Sequence, residues 1–274
     1  MTTANFSQIQ NWGSSASLMG YEFARTAATT FTLSQGSARA FGSDFMIEYP
    51  GNLVGLPSSL TVTVTTTGIN GCYPNAIGTP SETTVYPVIM LGDSSGKNTP
   101  GAVIYTGSDW TTGNFLVSGY DSFRIVNIVI INTSAQIVPL LQKGSYEDRF
   151  YQLADAIIVL NAGAATTATG VDLTASGGVV VPGWCKTVQI LYAYTPNSAA
   201  NILKVTPTGL TSTTYPIQVK ASGAAAVNGT FLIAPGINGS SNASIDYLGA
   251  TSDATSLYVS GFEMSFKLAM FNPV

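Results

Sequence analysis

Short segments in which apolar and polar residues alternate recur along this chain, and they constrain its fold more than any other feature. The segment LTVTVTTTG places Leu60, Val62 and Val64 on one face and threonines on the other. That period is typical of a half-buried antiparallel strand. Similar segments follow at roughly ten-residue spacing, separated by Gly, Pro, Asn, Asp and Ser, as in sandwiches and jelly rolls. The sequence therefore predicts an all-β fold.

The length of the chain, 274 residues, accommodates two such domains. We predict two antiparallel β-sandwich, jelly-roll-like domains with a short N-terminal arm. The predicted ranges are 1–24 for the arm, 25–152 for the first domain and 153–274 for the second. The boundary falls in the charged segment QKGSYEDRFYQL, which fits either a short helix or a charged edge strand.

The arm fits neither sheet well, and it carries three large apolar residues, Phe6, Ile9 and Trp12. These side chains either pack on the outside of the first domain or dock on a partner. The segment also has no basic region and no apolar core of the kind found in secretory signals, so we expect synthesis in the cytoplasm.

The segment SGYDSFRIVNIVIINTS is apolar on both faces. A regular strand here would point one set of side chains one way and a second set the other. The two sets are Phe123, Ile125, Val129 and Ile131, and Val126, Ile128 and Ile130. A strand with one wet face alternates, so both faces here need a cover. Either a second layer of the same sandwich or a neighbouring subunit supplies it.

Charged residues make up only 9% of the chain, against roughly a quarter in ordinary globular proteins. The net charge is −4 and the ten basic residues are scattered, so no nucleic acid is expected as a ligand. The longest apolar runs are too short for a membrane span. A polar but uncharged surface keeps neighbouring molecules apart poorly, which favours assembly into an oligomer.

The residues needed for most kinds of catalysis are scarce. The chain has no histidine, which excludes histidine-based nucleophile activation and histidine-ligated metals. Only 14 acidic residues are present, and Cys72 and Cys185 lie too far apart in sequence for a metal or redox motif. We expect no enzymatic activity, no cofactor and no metal, and two free thiols.

Four aromatic residues in or near polar loops are candidates for contacts with a ligand or partner: Tyr105, Trp110, Phe115 and Trp184. Exposed rings among Asn, Asp and Gly stack on sugars or on protein surfaces. The alternative is that the four rings cap the ends of a sandwich core.

Arg124 opens an apolar strand, and a buried arginine needs a carboxylate partner. Asp121 is the nearest in sequence. Asp93 and Asp109 are equally allowed from across the sheet. We therefore expect a structural Asp–Arg ion pair.

The stretch from Tyr86 to Tyr151, with GDSSGKNTPGAVIYTG followed by SGYDSFRIVNIVIINTSAQIVPLLQKG, resembles a recurrent module of tailed-bacteriophage structural proteins. In that module a Gly-Tyr-Asp turn is followed by an arginine and an apolar hairpin. The matching residues here are Gly119, Tyr120, Asp121 and Arg124. The module occurs in tail-fibre, head-fibre and other virion-associated proteins, so the resemblance implies a virion protein and not an activity.

Composition and resemblance together predict a non-enzymatic structural component of a bacteriophage particle, located in the virion. We expect a homo-oligomer, a trimer, that binds other virion proteins of the capsid or tail as a capsid decoration, a head fibre or a short tail fibre or spike. One alternative is a receptor- or glycan-binding module of a phage adhesin that contacts the host surface. Another is a jelly-roll coat protein.

Overall fold

The structure is a computed structural model that describes residues 18–40, 45–49, 57–81, 83–107, 117–144, 146–173, 181–182, 185–210, 217–237 and 243–266. Within these ranges the chain forms strands joined by turns and loops, and no helix. The predicted all-β class, with several antiparallel sheets, is confirmed.

The chain divides into two compact units, Met1–Arg149 with Ser265–Val274, and Phe150–Met264. The predicted boundary at residue 152 is close to this division. Ser265 and Phe266, which the prediction assigned to the second domain, group with the first unit.

The first unit contains eleven strands, two of which have nine or ten residues while the others have three to five. They are β1 (Leu18–Gly20), β2 (Phe23–Ala27), β3 (Thr30–Ser34), β4 (Gly36–Arg39), β5 (Met46–Tyr49), β6 (Ser59–Thr63), β7 (Gly71–Tyr73), β8 (Thr84–Gly92), β9 (Gly101–Tyr105), β10 (Ser122–Ile131) and β11 (Leu140–Lys143). Residues 18–24, predicted to belong to the arm, form β1 and the start of β2, and both Leu18 and Tyr21 are fully buried.

Ten of these strands form three sheets, with orders β1-β4-β5, β2-β3-β6 and β10-β8-β9-β7, and β11 pairs with β12 (Asp148–Gly163) instead. The alternating segment predicted as a half-buried strand is β6, where Leu60 and Val62 are buried and Thr61 is exposed. Strands β8 and β9 pair antiparallel and form a hairpin around the turn residues of GDSSGKN.

Strand β10 is buried from Arg124 to Ile131 within the single chain. Strands β4 and β5 lie against it, so it needs no neighbouring subunit to cover it. The predicted assignment of its faces is wrong, because a β-bulge interrupts its register with β8 between Ile125 and Asn127. The bulge adds one residue and reverses the faces beyond it.

Beyond the bulge, Asn127 pairs with Val88, two residues from Met90, the partner of Arg124. Residues that pair with alternate positions of one strand share a face. Arg124 and Asn127 therefore lie on the same side of β10, although three positions separate them in sequence.

The chain passes from the first unit to the second through β12 (Asp148–Gly163) and returns through β20 (Ala254–Ser265). The charged segment is a strand from Asp148 onward, so the helix interpretation is wrong, but β12 lies between β11 and β20 and is not the edge strand that was predicted. The other strands of the second unit are β13 (Thr169–Asp172), β14 (Thr187–Thr195), β15 (Ile202–Pro207), β16 (Ile217–Lys220), β17 (Val227–Ile233), β18 (Gly236–Ile237) and β19 (Ala243–Leu248).

Two sheets build this unit, with orders β12-β20-β14-β17 and β13-β19-β15-β16, and β18 pairs beside β19. Each sheet has a buried apolar face, represented by Val188 and Ile190 in one and by Val205 and Ile245 in the other. Asn228-Gly229, a typical turn signal, lies instead inside β17. The phenol ring of Tyr192 occupies the space that a side chain at Gly229 would need.

Candidate functional site

Two adjoining turns of the first unit carry the residues of the phage-like module. One turn follows β8 and is organised by Asp93, which is only 8% exposed. The Asp93 carboxylate accepts hydrogen bonds from the N–H and hydroxyl of Ser95, at 2.9 and 2.6 Å, and from the N–H groups of Lys97 and Asn98, at 3.1 and 2.9 Å. A single carboxylate thus holds the whole turn.

The second turn, Gly119 to Asp121, is fastened to the first by side chains. Asp121 accepts hydrogen bonds from the N–H and the hydroxyl of Ser94. The Asn98 amide donates to the Gly119 carbonyl at 2.8 Å, and the Tyr120 hydroxyl donates to the Thr99 carbonyl at 2.8 Å. Gly119 has φ of +92°, a conformation that favours glycine. The predicted turn residues are therefore brought together, and their polar groups bind their own chain.

The electrostatics of these turns do not suit proton transfer near neutral pH. The hydrogen bond from the Ser95 hydroxyl, with further donors from Ser95 and Asn98, lowers the pKa of Asp93 to about 2. The Ser94 hydrogen bonds lower the pKa of Asp121 as well. Both carboxylates are stabilised as acceptors, whereas a general base works best with a pKa near the working pH. Among the described residues, no group of His, Cys, Asp and Glu side chains could hold a metal ion.

Arg124 is fully buried, and the carboxylate beside it belongs to Glu147. Its Nη2 lies 3.9 Å from Glu147 Oε1 and donates a 2.7 Å hydrogen bond to the Phe266 carbonyl. The predicted partners Asp93 and Asp121 are engaged in the turns, and Asp109 lies outside the described residues. Burial lowers the pKa of Arg124 to about 10, which leaves it charged at neutral pH.

A second fully buried arginine, Arg149, was not singled out from the sequence. Its guanidinium donates to the carbonyls of Gly20, Tyr21 and Tyr146, at 2.6, 3.1 and 2.9 Å. It also lies over the ring of Phe266, 5.4 Å from the centroid. The sequence contains a signal for its burial, because Arg149 alternates with the buried Tyr151 and Leu153.

Asn127 and Arg149 belong to one buried polar cluster of the first unit, because both donate to the Tyr21 carbonyl. The Asn127 amide donates to the Tyr21 carbonyl at 2.9 Å and to Gln142 Oε1 at 2.8 Å. Tyr21 has φ of +54°, uncommon for a bulky residue, and its carbonyl accepts from both Asn127 and Arg149. The cluster joins three chain segments that are distant in sequence, which is a structural role.

In the second unit, Asp253 organises a similar arrangement and is 2% exposed. Its carboxylate accepts hydrogen bonds from the Tyr194 hydroxyl at 2.8 Å, the Asn197 N–H at 2.8 Å, the Asn201 amide at 2.7 Å and the Ala250 N–H at 2.9 Å. Burial raises the pKa of Asp253, but these donors together outweigh burial and lower it. Tyr194 has a raised pKa because it is buried and faces this carboxylate.

The predicted aromatic contacts are not brought together as a surface. Tyr105 ends β9 and is buried, so its interpretation as an exposed ligand contact is wrong and it belongs to the core. Trp110, Phe115 and Trp184 lie outside the described residues. The same holds for the arm residues, which are Phe6, Ile9 and Trp12.

One open groove of about 570 Å³ lies on the sheet β12-β20-β14-β17 of the second unit. Its lining includes Leu191, Tyr192, Tyr258, Asn228 and Thr230, and none of its lining residues is charged. The alternation of apolar and polar residues along the sequence did not predict this groove. Two partly exposed tyrosines, Tyr192 and Tyr258, are among its lining residues, beside the uncharged polar residues Asn228 and Thr230.

No family model matches the chain, and no curated protein matches it.

The part of the chain that the structure describes contains no helix with the length and hydrophobicity of a membrane span. Cys72 and Cys185 are free and buried, as predicted for the thiols. Burial raises their pKa values to about 11 and about 12, so neither thiol is activated as a nucleophile.

Proposed function

We propose that this chain is a non-enzymatic structural component of a bacteriophage particle that acts as an oligomer. The observation that carries the proposal is that the residues of the phage-like motif form hydrogen bonds within their own unit. Asp121 and Tyr120 bind the adjoining turn, and Arg124 binds the backbone of Phe266. A motif whose polar groups are all directed to its own fold supports a scaffold and not a catalyst.

The proposal includes the way in which the sheets of each unit pack on one another. Each unit is a β-sandwich, jelly-roll-like in the second, whose sheets turn apolar residues inward. The uncharged surface, with a mean hydropathy of +0.28 for the chain, suits permanent interfaces, which are more apolar than transient ones. The oligomer is a trimer attached to the capsid or tail as a decoration, head fibre or short tail fibre.

Two measurements test this function. In light scattering on the purified protein, a trimer-based assembly has a mass that is a multiple of three times the 28.5 kDa of one chain. In a density gradient of a phage lysate that contains the protein, it bands with the particles. Hundreds of copies per particle indicate a decoration, and a few to a few dozen indicate a fibre or tail part. Recovery only in the soluble fraction contradicts the proposal.

A glycan-binding module is the second candidate, and the groove of the second unit favours it. Tyr258 offers a partly exposed ring, and Asn228 and Thr230 offer hydrogen-bonding groups without charge, a combination suited to a neutral sugar. Binding on a glycan array that is lost in Tyr258→Ala, but kept in Tyr146→Ala, supports this candidate. Tyr146 is 56% exposed in the first unit and serves as the control.

A further inference from the structure

The edge strands of the second unit differ in the features that prevent an edge from pairing with another chain. Strands β13 and β16 end the sheet β13-β19-β15-β16, and each is four residues long and finishes in a charged residue, Asp172 or Lys220. Short length and charge are the usual devices that keep a sheet edge from pairing with another chain. The strand β17, which ends the other sheet, has neither device.

Strand β17 has the sequence VNGTFLI, seven residues without a charge or a proline. Its register with β14 runs without a bulge from Val188–Ile233 to Tyr194–Val227. Within the described residues, no strand pairs with its outer side. A long, regular and neutral edge of this kind is a template for one more strand.

Two large apolar side chains of β17 are also left partly or largely exposed. Leu232 is 60% exposed. Phe231 is only partly buried, whereas Ile190, its partner on β14, is completely buried. The buried face of the sheet therefore continues to the edge through Phe231, the opposite face carries Leu232 there, and an added strand would pack beside both side chains.

We propose that β17 pairs antiparallel with β17 of a second copy of this chain, about a two-fold axis at Thr230. This register uses all seven residues, while a shift to Gly229 or Phe231 leaves fewer pairs. It places Thr230 opposite itself and Gly229 opposite Phe231 of the second copy. Threonine pairs and a large aromatic beside a glycine both stabilise antiparallel strands.

A second copy of the chain fits this edge because two β17 strands are complementary to each other in this register. No like charges meet, and Val227 pairs with Ile233 at both ends. The inference rests on the proposed oligomeric function and adds one contact to it. Since the contact is two-fold, it is separate from the one that builds a trimer, and it doubles whatever assembly the other contact forms.

Cysteine cross-linking tests the register directly. Opposite residues of antiparallel strands have Cα atoms about 4.5–5.5 Å apart, which suits a disulfide. Thr230→Cys is expected to form a covalent dimer on mild oxidation. Asn228→Cys is the matched control, because it is exposed on the same strand but lies four residues, about 13 Å, from its own equivalent. A mixture of Asn228→Cys and Leu232→Cys is expected to cross-link.

The native thiols do not interfere with this measurement. Cys72 is fully buried and Cys185 is 8% exposed, and both have raised pKa values. A dimer band on a non-reducing gel therefore reports the introduced cysteine. Equal cross-linking of Thr230→Cys and Asn228→Cys, or none from either, overturns the proposal.

Light scattering separates this contact from the proposed trimer. Leu232→Lys places a charge at the edge and is expected to halve the mass of the wild-type assembly. Leu210→Lys, at a residue 56% exposed in a turn, is expected to leave the mass unchanged. A Leu232→Lys variant with the wild-type mass overturns the pairing. A halved assembly that consists of single chains instead of three contradicts the trimer and leaves the pairing in place.

Discussion

At the scale of single residues, the chain uses several of its few charges to bind its own backbone. Arg124, Arg149 and Asp253 are all buried. Turns and loops leave carbonyl and N–H groups without a sheet partner, and a buried group of this kind costs free energy. One guanidinium supplies several donors and one carboxylate several acceptor sites. A single charged side chain can therefore fasten three or four backbone or side-chain groups.

We predict that Arg149→Ala strongly destabilises the first unit. The change removes the donor for the carbonyls of Gly20, Tyr21 and Tyr146 and the contact with the Phe266 ring. We expect a loss of about 3 kcal/mol or more in the free energy of unfolding, measured by urea denaturation. Arg25→Ala, at an exposed residue of β2, is the control and should change stability by less than about 0.5 kcal/mol. Equal stabilities of the two variants would contradict the structural role of Arg149.

A second prediction concerns Asp253 and its dependence on pH. Asp253→Asn places an amide donor against four donors, so we expect a loss of about 2–3 kcal/mol at pH 7. The folded-state pKa of Asp253 is lowered. Its stabilisation is therefore present above the ordinary aspartate pKa and is lost as the pH falls through the folded-state value.

The measurement for Asp253 is urea denaturation of the wild type and the variant at pH 7 and at decreasing acidic pH. The difference in free energy should shrink in acid. Asp155→Asn, at an exposed residue of β12, serves as the control and should show a small difference at every pH. A difference for Asp253→Asn that stays constant into acid would rule out a stabilising carboxylate.

At the scale of elements, irregularities decide how the strands are used. The bulge in β10 places Arg124 and Asn127 on one side. Gly229 lies within β17 because Tyr192 needs its space. Gly236 in β18 lies against the backbone of Thr208, where a Cβ atom would come 1.9 Å from the carbonyl oxygen. Each of these positions is set by the neighbouring element and not by the strand itself.

We predict that Gly236→Ala lowers the free energy of unfolding by about 1–3 kcal/mol, since the clash is with backbone that cannot turn aside. Gly223→Ala makes the same chemical change where no atom lies within 4 Å. Both substitutions reduce the freedom of the unfolded chain similarly, so the difference between the variants isolates the clash. Thermal or urea unfolding provides the comparison, and equal stability of the two variants would show that β18 adapts.

At the scale of the whole molecule, the second unit is an insertion in the first. The chain leaves the first unit after Arg149 and returns at Ser265. The two ends meet, because the Phe266 N–H donates to the Glu147 carbonyl at 2.7 Å. Insertions whose ends are close together leave the host domain with its own core.

We therefore predict that the first unit folds when Phe150–Met264 is replaced by a short glycine-rich linker. The expected result is a β-type circular dichroism spectrum and one cooperative thermal transition. The same deletion with Arg149→Ala is the control and should melt at a lower temperature, because it lacks the buried guanidinium. A shortened chain that melts without a cooperative transition would contradict the independence of the first unit.

Much of the strand content can be predicted from the sequence, and little of the buried polar structure can. The strand around Val62 and the β8–β9 hairpin follow from alternation and turn residues. The carboxylate partner of Arg124 and the carbonyls that Arg149 binds do not follow from them. Hydrogen bonds from these arginines reach Phe266 and Gly20, 142 and 129 residues away in sequence. No local pattern specifies partners at such separations.

The sequence by itself determined the all-β class, the inward faces of regular strands such as β6 and the scarcity of charge, because these depend on the period of an extended backbone and on composition. Only the tertiary structure decided the faces of β10, the strand conformation of Asn228-Gly229, the Arg124–Glu147 pair and the position of β17 at the edge of its sheet among the described strands. The physical reason is that a bulge, a close ring or an unpaired edge depends on which distant segments become neighbours. That choice is made by the packing of the whole unit and not by any one strand.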